Sequence, residues 1–142
     1  KGAEIVLGGS RDSGRPTGLY YQPTVVDRVG TDTLINRDET FGPIVPLISV
    51  ASDDEAISVA NDSHLGLQAA VYTTSLQRAF RYLDNLRVGN VVVNDSTDYW
   101  EAHEPFGGAP GTQSGWGRIG GRYTMLDMTD LKTVVLDVGG VD

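Results

Sequence analysis

The chain has 142 residues, 39% hydrophobic and 21% charged, enough for one globular domain with a real core rather than a disordered segment. Eleven Lys and Arg stand against 19 Asp and Glu, and the net charge of −8, unrelieved by any basic cluster, excludes a nucleic-acid backbone and an anionic membrane surface as partners. Zero cysteines exclude disulfides, zinc–thiolate sites and a cysteine nucleophile within the chain; with no membrane-spanning run and no signal peptide, the expectation is an intracellular, cytoplasmic protein.

Ala3-Glu4-Ile5-Val6-Leu7 reads as a short strand stopped by Gly8-Gly9, and residues 10–18 as a polar loop. Thr24-Val25-Val26, inside the stretch from Tyr20 to Val29, is a second strand. A third runs from Ile44 to Val50, apolar and β-branched enough to suit a sheet buried on both faces. Ser52-Asp53-Asp54-Glu55 has capping-box spacing, with Glu55 reaching back, and opens a helix that ends near Asn61-Asp62-Ser63; Ala56, Ile57, Val59 and Ala60 supply its apolar stripe. Gln68 to Tyr72 is the next strand. Thr74-Ser75-Leu76-Gln77 is a second capping box, before a helix with Leu76, Ala79, Phe80, Leu83 and Leu86 on one face and Gly89 as its stop. Asn90 to Asn94 is a strand again, so residues 43–94 predict an α/β fold, a parallel βαβαβ sheet with helical crossovers. Ligands of such sheets sit beyond the carboxyl ends of the strands, which makes the loop from Asn94 onward a site candidate. Residues 95–122 are irregular, a short helix is expected from about Ile119 to Met128, and Lys132 to Val138 closes the chain as an apolar edge strand.

Several side-chain groupings have a functional and a structural reading. The pairs Gly107-Gly108 and Gly120-Gly121 fit either a surface turn or a place where backbone passes close to backbone or ligand. Gly115-x-Gly117-x-x-Gly120 has dinucleotide-fingerprint spacing but follows no strand, so a phosphate role is disfavoured. Glu101, His103 and Glu104 could ligate a metal, although a solvated acidic loop suits their spacing better. His64 reads as a structural or exposed histidine. Ser96 and Ser114 lack the nucleophile elbow and the paired histidine that a triad needs. The run Glu39-Thr40-Phe41-Gly42-Pro43 sets a carboxylate and a ring just before a strand, a pairing suited to a hydroxylated ligand.

Taken in order, Tyr20-x-x-Pro23-Thr24-Val25, Glu39-Thr40-Phe41-Gly42-Pro43, Ala60-Asn61 with Gly66-Leu67, Gly89-x-Val91-x-Val93-Asn94, Pro105-Phe106-Gly107-Gly108, Ser114-Gly115-x-Gly117-Arg118 and Lys132-Thr133-Val134 resemble the C-terminal part of the aldehyde dehydrogenase superfamily. The resemblance covers nearly the whole chain. It implies NAD(P)-dependent oxidation of an aldehyde to a carboxylic acid through a cysteine thiohemiacetal. It further implies that Glu39 hydrogen-bonds the ribose hydroxyls of the nicotinamide half of NAD or NADP, and that Phe41 packs by the nicotinamide. Phe106 matches a ring near the aldehyde pocket, and Trp100 falls in the loop that lines the substrate tunnel, where an aromatic favours apolar or aromatic aldehydes. By the same resemblance residues 1–128 are a portion of the catalytic domain, and residues 129–142 a terminal strand shared between subunits of a homo-oligomer, a dimer or tetramer.

Two departures qualify this. Five residues, Ala109 to Gln113, separate Gly108 from Ser114, where the family usually has three, often including a lysine. The family's nucleophilic cysteine, general-base glutamate, oxyanion-hole asparagine and Rossmann domain precede the matched region, and the chain opens on Lys1 rather than Met. The expectation is therefore a fragment with no catalytic residue of its own, inactive alone. The alternative is a non-catalytic relative kept for binding or assembly.

Overall fold

Thr24–Asp27 (β2) is the centre of the first sheet: Glu4–Leu7 (β1) pairs with it antiparallel and Ile44–Pro46 (β3) pairs with it parallel, in the order β1-β2-β3. A computed structural model describes residues 2–140, and it divides the chain into two compact units that meet in sequence between His64 and Leu65. In the first unit the buried side chains are those of β2 and the turn after it: Thr24, Val26, Val29 and Thr33. The Thr24 hydroxyl is satisfied on both sides, accepting from Gly9 N at 2.9 Å and donating to Gln22 O at 2.8 Å, which lets a polar side chain sit in the core.

The third strand differs from its expected form. It is regular only to Pro46, and Val45 is 54% exposed rather than buried on both faces. The cause is its position. β3 has β2 as its one neighbour, and an edge tolerates Pro46, which has no N–H to give. Ladder-like bonds continue past it, from Leu47 N to Val26 O at 2.8 Å and from Val29 N to Leu47 O at 3.1 Å. The strands predicted as one continuous βαβαβ sheet thus pair in two sets, with β3 joined to β2. A one-turn helix, Leu34–Arg37 (α1), stands between β2 and β3.

Asp53–Asn61 (α2) starts as predicted: the Ser52 hydroxyl accepts from Glu55 N at 3.1 Å, and Glu55 reaches back one residue further than expected, to Ala51 N at 2.7 Å.

In the second unit Gln68–Val71 (β4) and Asn90–Val93 (β5) are parallel, with register from Gln68↔Asn90 to Val71↔Val93, and Leu76–Asn85 (α3) connects them. The cap of α3 is Ser75, one residue later than predicted, accepting from Arg78 N at 3.2 Å. Of its expected apolar face only Ala79 is buried; Leu76 is 74% and Phe80 55% exposed, because a two-stranded sheet offers too little surface to cover a ten-residue helix. Arg122–Asp127 (α4) lies inside the predicted helix span.

Lys132 to Val138 forms no strand. The segment is irregular and exposed, because no strand among the described residues offers it hydrogen bonds; the last two residues of the predicted 129–142 strand lie outside the described residues. No helix among the described residues is long and apolar enough to cross a membrane.

Candidate functional site

In the first unit the run from Glu39 to Pro43 is held at both ends. Asp38 N donates to Leu34 O at 2.8 Å to close α1, Ile44 N donates to Gly42 O at 2.8 Å, and Thr24 N donates to Pro43 O at 2.8 Å, which ties the run to the central strand. Between these anchors Glu39 is exposed and Phe41 is 91% exposed. Phe41 also has a φ of +47°, a left-handed conformation that costs a residue with a β-carbon roughly 1–2 kcal/mol. An aromatic ring held in solvent on a strained backbone contributes nothing to packing, and that combination marks a contact surface. A hollow of about 870 Å³ lies between the ends of α1 and α2, with Arg37, Asp38, Asp62 and His64 among its walls.

The second unit carries an open cavity of about 400 Å³ that runs along β5 from Asn90 to Asp95 and is lined also by Tyr99, Trp100, Glu104 and Phe106. It lies along the strand as well as at its carboxyl end. Trp100 and Phe106, singled out separately in the sequence, meet here edge to face, with ring centroids 6.2 Å apart and planes at 65°. Glu39 and Phe41 belong to the first unit and Trp100 and Phe106 to the second.

The loop that carries the rings is pinned by Gln68 and by two residues of the motifs, Asn94 and Arg118. Asn94, at φ +60°, accepts from Thr73 N at 2.8 Å and donates to Thr73 O at 2.9 Å, closing the ends of β4 and β5 together. Gln68 Nε2 donates to Tyr99 O at 3.0 Å. Phe106 and Ile119 exchange two backbone bonds of 2.8 Å. Arg118 Nη1 donates to Gly89 O at 3.0 Å and Gly107 O at 2.9 Å, bolting the entry of β5 to the residue after Phe106. The paired glycines serve close backbone approach rather than a surface turn: a β-carbon on Gly107 would run into Gly117 O, and one on Gly108 into Ser114 O. Ser114 is structural, its hydroxyl accepting from Gly66 N at 2.9 Å, and Ser96 donates to Asp98. Gln68 stands outside the motifs, and although Asn94 and Arg118 belong to them, their anchoring role is not legible in sequence, because a side chain that anchors distant backbone leaves no local pattern.

Electrostatically the cavity mouth is negative. The Tyr99 hydroxyl is held above its ordinary pKa chiefly by the charge of Glu104, with some burial and then Glu101 and Asp95 adding to it. Among the described residues no group of three or more His, Cys, Asp or Glu could hold a metal ion.

Residues 1–134 match the profile of the aldehyde dehydrogenase family. The chain is 38% identical over 136 residues to a lactaldehyde dehydrogenase of Methanococcus maripaludis, and 42% identical over 137 residues to a mitochondrial succinate-semialdehyde dehydrogenase of Oryza sativa subsp. japonica. Each match takes in 96% of this chain but only 28% and 25% of those proteins, so the chain spans about a quarter of their length. Among solved structures, an aldehyde dehydrogenase of Mycobacterium tuberculosis complexed with NAD+ superposes with a TM-score of 0.88 at 33% identity, over 99% of this chain and 28% of that one. A glyceraldehyde-3-phosphate dehydrogenase of Methanocaldococcus jannaschii complexed with NADP gives 0.83 at 34% identity, over 94% of this chain and 27% of that one.

Proposed function

Since the chain belongs to the aldehyde dehydrogenase family, we propose that it forms part of an NAD(P)-dependent enzyme that oxidises an aldehyde to a carboxylic acid. The observation that carries this reading is the pair Glu39 and Phe41, one a free carboxylate and the other a strained ring in solvent, on a loop fixed at both ends. They fit the nicotinamide half of NAD or NADP: two carboxylate oxygens accept from the vicinal ribose hydroxyls, and the ring lies against the nicotinamide. The cofactor, when bound, supplies the hydride acceptor. Trp100 and Phe106 form an aromatic wall of the aldehyde pocket, and Arg118 and Asn94 hold that wall still. A cytoplasmic setting accords with a cysteine-free acidic chain.

No cysteine is present, so the thiolate that attacks the aldehyde must come from other sequence. The purified 142-residue chain is expected to give no NAD(P)H from any aldehyde, and the same chain extended by its upstream reading frame to include a thiol is expected to give saturable turnover. Turnover by the short chain would refute the thiol mechanism. An extended protein that binds without turnover would favour the non-catalytic module instead.

The segment from Leu131 to Val138, exposed and irregular here, would become a strand only by pairing with a neighbouring subunit, and its exposed apolar side chains support that reading. In the extended protein, ending the chain at Asp130 should convert a dimer or tetramer to smaller species on a sizing column; an unchanged elution volume would remove the segment from the interface.

A further inference from the structure

The walls of the β5 cavity combine aromatic rings with negative charge and, among the described residues, include no Lys or Arg. Tyr99, Trp100 and Phe106 are the rings, and Asp95 and Glu104 are the acids. The loop from Asp95 to Phe106 carries four acids in all, with Asp98 and Glu101, and no Lys or Arg. The guanidinium of Arg118 shares an adjoining hollow with Glu104 and is held by its bonds to the carbonyls of Gly89 and Gly107. Glu104 above all, with Glu101 and Asp95 adding to it, raises the pKa of the Tyr99 hydroxyl, in keeping with a negative field at the mouth.

We propose that this cavity selects aldehydes whose far end carries a positive charge, an alkylammonium or quaternary ammonium group, over aldehydes that end in a carboxylate or sulfonate. The proposal rests on reading the cavity as the aldehyde pocket of the enzyme. A cation over the ring faces gains cation–π attraction, and the wall carboxylates add to it in a partly desolvated space. An anionic tail meets the same two carboxylates with no Lys or Arg in the cavity wall itself, a built-in repulsion that works against it.

The test uses the extended, thiol-bearing protein and three aldehydes: trimethylammoniobutanal, its uncharged analogue with carbon in place of the nitrogen, and succinate semialdehyde. The first two have the same shape, so their ratio isolates charge. kcat/KM is expected to fall in that order, with about a tenfold advantage of the cation over its uncharged analogue. In the isosteric double variant Asp95→Asn, Glu104→Gln that advantage should shrink to near unity. Equal rates for the matched pair, or succinate semialdehyde as the best substrate, would overturn the charge preference while leaving aldehyde oxidation standing. Oxidation of none of the three would overturn both. The wild-type ranking decides the matter even where the double variant fails to fold.

Discussion

Gly89→Ala is expected to destabilise the unit of residues 65–142 by about 3 kcal/mol, read as a lowered urea midpoint. The Gly89 N–H donates to Gly66 O at 2.9 Å, and its carbonyl accepts from Arg118 at 3.0 Å. A β-carbon there would collide with the carbonyl oxygen of Gly107 and approach Arg118 Nη1 to 2.9 Å. Backbone cannot swing aside as a side chain can. Moving the Gly107 carbonyl would break its bond from Arg118 and lengthen its contact with Asn90 Nδ2, already at 3.4 Å. Gly111→Ala is the control. Gly111 has a φ of +79° with nothing within 4 Å of its would-be β-carbon, so only backbone strain of about 1 kcal/mol is expected. Equal losses in the two variants would show that close approach at Gly89 is not what holds the pocket loop.

Phe41→Gly is expected to act with opposite signs on fold and function. Glycine takes a φ of +47° without steric penalty, and the ring it removes is 91% exposed, so no packing is lost. Relief of the left-handed strain outweighs the added freedom of the unfolded chain, leaving the variant as stable as the parent or up to about 1 kcal/mol more so. The KM for NAD(P) in the extended protein should rise about tenfold, the cost of one lost ring face against the nicotinamide. A residue kept for packing would do the reverse, with melting lowered and cofactor KM unmoved.

Local chemistry made much of this legible from residues alone. Ser52 and Glu55 announce the start of α2 because a cap is written in adjacent positions. β5 is visible as Asn90-Val91-Val92-Val93, and the ordered motifs name the family. Burial was not legible. The apolar stripe of α3 and the run from Ile44 to Val50 promise a covered surface, but periodicity says which face seeks cover and not what provides it. Hence Leu76, Phe80 and Val45 lie open. The pairing of β3 with β2 instead of β4 is a long-range choice that strand propensity does not encode. At the site, Trp100 and Phe106 were each visible, and their edge-to-face contact follows only from the loop that Gln68, Asn94 and Arg118 fasten down.

The central claim is that this chain brings the ribose-binding carboxylate to one ligand and the aromatic wall to the other. It is tested most directly by the KM values of Glu39→Gln in the extended, thiol-bearing protein, with both substrates varied. A charge-assisted hydrogen bond reduced to a neutral one should raise the KM for NAD(P) about tenfold and leave the KM for the aldehyde unchanged. An unchanged cofactor KM, or a rise confined to the aldehyde, would contradict the assignment of Glu39 and with it the account of this half of the site.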